Sequence, residues 1–141
     1  MDAPRWGLAI ALATLACASP ETRPNGQFVQ HGRQYTAWLY GSQYNKLWDR
    51  FSPEMRQTFG SVADLASFAG RAVTQLGEEQ KVVDESVQES DPLVVYTRNA
   101  SFHKSRQRML IEWSLARDGA VTGLVVRPAP GGAESGEAPG R

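Results

Sequence analysis

Hydrophobic spacing divides the chain into a first part with helical period and a second part with strand period. Phe28, His31, Tyr35, Trp38 and Leu39 recur at steps of three and four, which predicts a helix over 27–40 with one apolar face. Gly41 and Ser42 interrupt it, and Tyr44, Leu47, Trp48 and Phe51 continue as a short amphipathic stretch. Ser52-Pro53-Glu54 is a helix start, with Ser as N-cap, Pro in the first turn and an acid at the positive dipole end. Gly60 closes that helix. Ser61 to Asp64 opens another in the manner of a capping box, and Val62, Leu65, Ala69, Val73 and Leu76 form its stripe up to Gly77.

Beyond Gly77 the period becomes two. Val83, Glu85 and Val87 alternate with polar neighbours, as do Val94, Tyr96, Arg98, Ala100 and Phe102. Met109, Ile111, Trp113 and Leu115 form a third run, and Ala120 to Val126 is apolar on both phases, as a strand covered on both faces would be. Asp91-Pro92 marks one turn, and Asp118-Gly119 is a strong hairpin signal. Four strands on short links predict an antiparallel meander. Helices gathered before such a sheet give an α+β fold in which N-terminal helices pack on a curved four-stranded sheet.

The two ends lack this patterning. Arg5 followed by the apolar run Trp6–Ala16 is too short for a membrane span, which needs about 20 residues. With Ala16-Cys17-Ala18 it reads as a secretory signal over 1–18, followed by a linker over 19–25. Thr14-Leu15-Ala16-Cys17 also approaches a lipoprotein signal, in which Cys17 would carry lipid, although Thr14 stands where Leu is usual. The folded domain is placed at 26–128. Residues 129–141, rich in Gly, Ala, Pro and Glu, have too little apolar surface to offset their ordering entropy and are expected to form a disordered tail.

Composition narrows the chemistry. A chain of 141 residues is sized for one domain. Fifteen Lys and Arg against fifteen Asp and Glu remove the basic footprint that nucleic-acid binding requires. One Cys and two His cannot build an intramolecular disulfide or a structural zinc site, so neither metal nor cofactor is expected. Ser101-Phe102-His103-Lys104 has the Ser-x-x-Lys spelling of a serine acyl-enzyme, but at a strand end Ser101 and Lys104 point to opposite faces. No Gly-x-Ser-x-Gly elbow occurs. Glu78, Glu79, Asp84 and Glu85 read as a solvated acidic edge, and Glu112 as an outward residue pairing with Arg98 or Arg127. Tyr35, Trp38, Tyr40, Tyr44, Trp48, Phe51 and Trp113 have the spacing of a core, yet a curved sheet over a helix leaves room for an aromatic-lined pocket. The candidate binding residues for a small apolar ligand are therefore Tyr35, Trp38, Tyr40, Tyr44 and Trp113. Tyr40 and Tyr44 flank the helix break and are best placed to reach a pocket mouth.

The run Leu47-Trp48-Asp49-Arg50-Phe51-Ser52-Pro53-Glu54-Met55-Arg56-Gln57-Thr58-Phe59-Gly60-Ser61 resembles a stretch in small bacterial extracytoplasmic domains of the nuclear-transport-factor-2-like, or cystatin-like, cone class. Val95–Phe102, Ile111–Leu115 and Gly123–Pro128 are similar to later strands of that group. Such domains of unknown function occur alone or in front of serine hydrolases and cell-wall peptidases. The resemblance implies an extracytoplasmic, non-catalytic binding or interaction domain, accessory to hydrolase or cell-wall chemistry, with an envelope protein or a second copy as partner. Membrane contact would come only through the signal or a lipid anchor. The class also contains ketosteroid-isomerase-like pocket enzymes and ligand carriers. That alternative needs a carboxylate or Tyr in the pocket, with Tyr35, Asp84 and Glu112 as the candidates.

Overall fold

A computed structural model describes residues 25–131, and the expected signal, Cys17 and most of the expected tail lie outside them. Four helices, α1 (Gly26–Tyr40), α2 (Tyr44–Asp49), α3 (Pro53–Phe59) and α4 (Val62–Leu76), precede four strands. These are β1 (Glu79–Ser90), β2 (Leu93–Phe102), β3 (Met109–Leu115) and β4 (Val121–Pro128). The strands pair antiparallel in the order β1-β2-β3-β4, so the fold is an α+β arrangement of helices on an open meander, consistent with a cone. No helix among the described residues is long and apolar enough to cross a membrane.

The punctuation acts as the sequence indicates. Ser52 Oγ accepts the Met55 N–H at 3.2 Å, and Ser61 Oγ accepts the Asp64 N–H at 3.1 Å while donating to Asp64 Oδ2 at 2.7 Å. Each bond satisfies an amide that the first helical turn leaves open. At the β3–β4 hairpin, Asp118 Oδ1 accepts the Ala120 N–H at 3.0 Å and Gly119 takes φ +85°. A side chain at Gly119 would also strike the His31 ring, whose Nε2 lies 3.0 Å from where a Cβ would stand.

The core lies between the helices and one face of the sheet. Val94, Tyr96, Ala100 and Phe102 of β2, and Ile111, Trp113 and Leu115 of β3, meet Phe28, Tyr35 and Leu39 of α1 and Leu65, Ala69 and Leu76 of α4. Gly32 allows α1 to approach β2 closely, because a Cβ there would fall 2.1 Å from the Tyr96 ring. The buried Trp113 Nε1–H donates to Thr36 Oγ1 at 2.9 Å, and that hydroxyl donates to the Gly32 carbonyl at 2.7 Å.

The details depart from the sequence reading in three places. Strand β4 is covered on one face only, with Val125 on the other face 49% exposed, and it is an edge strand of the open sheet. Its start is held by the 50–52 segment, with Ser52 N–H to the Val121 carbonyl at 2.8 Å and Val121 N–H to the Arg50 carbonyl at 2.7 Å. Strand β1 contains register shifts between Glu79 and Lys81 and between Val82 and Asp84, which push Val83 out to solvent. Finally, Ala129 is buried, and its N–H donates to the Arg108 carbonyl at 2.8 Å. The packed chain thus runs one residue past Pro128.

Candidate functional site

Arg98 occupies a position that the β2 alternation reserves for the core, between buried Tyr96 and Ala100. A guanidinium there must be paired, since an isolated buried charge is costly. Two acids from β1 supply the pairing. Glu79 takes a two-pronged contact, Arg98 Nη2 to Oε1 at 2.6 Å and Nε to Oε2 at 2.9 Å. Glu85, directly across the strands from Arg98, accepts from Nη1 at 2.8 Å.

From above, Arg33 of α1 closes on the same Glu85, with Nη2 to Oε2 at 2.6 Å and Nε to Oε1 at 3.0 Å. The Tyr96 hydroxyl also donates to Glu85 Oε1. The result is a chain of alternating charges, Arg33, Glu85, Arg98 and Glu79, laid across the β1–β2 side of the covered face. The β1 irregularities account for it. By shifting phase, the strand turns Glu79, Val82, Glu85 and Val87 toward the helices. Glu79 and Glu85 are therefore not members of a solvated acidic edge but mostly covered acids held by arginines, with side chains 21% and 16% exposed.

The pairing fixes protonation states. Hydrogen bonding from Arg33 holds the Glu85 carboxyl down at about 2, helped by Tyr96 and opposed by burial. Burial first, then the bond to Glu85, pushes the Tyr96 hydroxyl up to about 12. Arg98 is raised above its ordinary range, chiefly by its bond to Glu79.

Three members of this charge chain, Arg33, Arg98 and Glu79, border a cleft of about 450 Å³. Helix α1 lines it with Arg33, Thr36, Ala37 and Tyr40, and α4 contributes Val73. Glu78, Glu79 and Arg98 complete it from the sheet side. Tyr40 stacks on Phe102 with ring centroids 5.8 Å apart, and its hydroxyl makes no hydrogen bond among the described residues. Burial raises the Tyr40 hydroxyl above the ordinary tyrosine range, and the Glu79 charge adds more than Arg98 removes. A larger hollow of about 510 Å³ lies along α4 between Ser67 and Gln75, but Arg71 is its sole charged lining residue and no core aromatic borders it.

Of the five aromatics singled out by sequence, Tyr40 lines this cleft. Tyr35 and Trp113 are buried, the Tyr35 hydroxyl donating to the Gly119 carbonyl at 2.6 Å and accepting from Arg50 Nε at 3.3 Å. Trp38 is half-buried against Tyr35, and the half-buried Tyr44 donates to Ser42 Oγ at 3.3 Å. Asp84 and Glu112 face away from the helices, Glu112 accepting from Arg127 Nε at 2.9 Å. Ser101 and Lys104 go to separate carbonyls, those of Lys81 at 3.5 Å and Thr74 at 3.3 Å. His31 stacks on Tyr35 and is held below its ordinary range by burial and then by Arg50, while His103 meets Gln80 at 3.3 Å. Among the described residues no cluster of His, Cys, Asp and Glu could hold a metal.

The sequence reading missed Arg33, Tyr96 and Arg98 as site residues. Its available signal was Arg98 itself, a charge on the apolar phase of a buried strand. Comparison with known proteins finds no matching family model, no matching curated protein and no matching solved structure.

Proposed function

We propose that this chain is an exported, non-catalytic binding domain of the bacterial cell envelope, whose site is the cleft between α1, α4 and the start of β1. One observation carries the reading: the cleft joins an apolar floor to a charged wall in which Arg33, Arg98 and Glu79 are already held in ion pairs and Glu78 stands unpaired among the described residues. General acid–base catalysis works best with a group whose pKa lies near the operating pH. Behind the cleft's arginines, Glu85 is held down at about 2 and Tyr96 is pushed up to about 12, both far from neutrality, which supports a structural rather than a proton-transferring role for this pair. What remains is shape, apolar contact at Ala37, Val73 and Tyr40, and a hydroxyl free to bond. Those are the attributes of a small-ligand site, and the volume falls within the usual range of about 300–1,000 Å³.

A protein partner or second copy on the outer sheet face has less support. The large apolar residues exposed among the described residues are Val83 and Val125, on strands at opposite edges of the sheet. A docking patch would need several hundred Å² of contiguous apolar surface. Export and an accessory role beside hydrolase or cell-wall chemistry rest on the N-terminal pattern and the cone-class resemblance.

Native mass spectrometry of the protein isolated from its host envelope tests the reading. The expected result is a mature chain starting near Ser19, or lipidated at Cys17, carrying a non-covalent adduct. Ala37→Trp, which fills the cleft from an exposed helix position, should abolish the adduct. An intact N-terminus would overturn export. A bare wild-type protein, or an adduct that survives Ala37→Trp, would overturn the cleft as the site.

A further inference from the structure

The charged side chains that line the cleft are not all paired. Arg33 is committed to Glu85, and Arg98 is shared between Glu79 and Glu85. The lining carries two guanidiniums, Arg33 and Arg98, and two carboxylates, Glu78 and Glu79, and of these four Glu78 has no ion pair among the described residues. Its backbone is fixed, because its carbonyl accepts the His103 N–H at 2.9 Å. The neighbouring ammonium of Lys104 is engaged elsewhere, on the Thr74 carbonyl at 3.3 Å. Tyr40 borders the same space with an unbonded hydroxyl, and the carboxylate of Glu79 outweighs the guanidinium of Arg98 at that oxygen.

We propose that the cleft takes a small organic cation, a primary ammonium carried on an apolar body, with Glu78 and the Tyr40 hydroxyl receiving the ammonium. The inference rests on the cleft being the binding site and adds the class of ligand. An ammonium brings three donors and no acceptor, matching a carboxylate and a hydroxyl oxygen that lack partners. Its apolar body lies on Ala37, Val73 and the Tyr40 ring. An anion would meet Glu78 and Glu79, while Arg98 is engaged through all three nitrogens and Arg33, already held by Glu85, offers only its outer Nη1. A neutral ligand of the same shape would cover Glu78 without pairing it, and a carboxylate stripped of water without a partner is destabilising.

Three probes of one size separate these cases: 2-phenylethylammonium, 2-phenylethanol and phenylacetate, each titrated into the ¹⁵N-labelled full chain at pH 7 and followed by NMR. The ammonium should move the amides of Ala37, Tyr40, Val73 and Glu78 and bind about tenfold more tightly than the alcohol, the equivalent of one modest ion pair. Phenylacetate should leave those amides in place. Glu78→Gln, at an exposed position that leaves the core intact, should remove the tenfold preference without weakening the alcohol. Equal binding of alcohol and ammonium, or tighter binding of phenylacetate, would overturn the cationic class while leaving the cleft as a site. If none of the three moves the cleft amides, the site itself is overturned and the ligand class with it.

Discussion

The two sides of the covered sheet face solve the same packing problem with different chemistry. Under α1 on the β3 side, the Tyr35 ring lies 5.8 Å, centroid to centroid, from both Trp38 and Trp113, the Tyr35 hydroxyl donates to the Gly119 carbonyl and Trp113 Nε1–H donates to the Thr36 hydroxyl. On the β1 side the same helix meets Arg98, Glu79 and Glu85, and contributes Arg33 to them. The aromatic side is buried at Tyr35 and Trp113, and the one charge it meets there is Arg50, whose Nε donates to the Tyr35 hydroxyl at 3.3 Å. The ionic side stays mostly covered yet opens on the cleft. A folded domain gains more from apolar packing than from an ion cluster of equal volume, which often only breaks even against desolvation. Keeping charges where a β3-like apolar surface would serve stability better is consistent with the proposed binding role of this wall.

Substitutions at the seam between the two sides should have the largest effects. Gly32→Ala forces a methyl against the Tyr96 ring at a contact of 2.1 Å, so α1 must lift from β2. A loss of about 3 kcal/mol is expected in urea unfolding, at the upper end of overpacking costs. If Gly32→Ala unfolds like wild type, the close approach of helix and sheet is wrong. On the aromatic side, Thr36→Val keeps the volume but leaves the Trp113 Nε1–H unpaired in the core. Its expected cost is about 1–3 kcal/mol, with a changed tryptophan emission spectrum.

The ionic side should respond to pH in a way the aromatic side does not. Glu85 is depressed in the folded chain from an ordinary 4.5 to about 2. Its contribution is therefore complete above about pH 4.5 and disappears as pH falls toward 2. Glu85→Gln should cost about 1–3 kcal/mol at pH 7 and lose less than wild type on acidification across that window. Parallel curves for the two proteins between pH 5 and 2 would show that the pairing contributes nothing. The smallest effect belongs to the outer face: Arg127→Ala breaks an exposed pair with Glu112 and should leave the melting temperature unchanged.

Local chemistry made much of this fold readable. Ser52-Pro53, Ser61, Gly60, Gly77 and Asp118-Gly119 each fix a boundary through bonds to neighbours a few residues away. The β1 register was not readable, because a bulge is decided by what the strand must pair with. Without the Val82–Asp84 shift, the alternation puts Val83 with Glu85 and Val87, whereas the structure puts Val82 there and leaves Val83 outside. The acids around β1 consequently looked like a wet edge. Two residues did carry a usable signal: Arg98 on an apolar phase, and Gly32 inside a helix, where glycine usually marks a close approach. Arg33 carried none, since its partner Glu85 lies 52 positions further along the chain. For the cleft, the aromatic spacing pointed to Tyr40 together with four residues that the fold places elsewhere, because helical periodicity alone does not separate core from rim.

The central claim is that the ionic wall is permanently paired and serves binding rather than proton transfer. Following the side-chain carboxyl carbon of Glu85 by ¹³C NMR from pH 7 downward tests it most directly. The account predicts no titration near neutrality and a midpoint of about 2, with the signal otherwise that of a carboxylate bonded to arginine. A midpoint near 6 or 7 would show a carboxyl poised for acid–base chemistry, and would contradict the account.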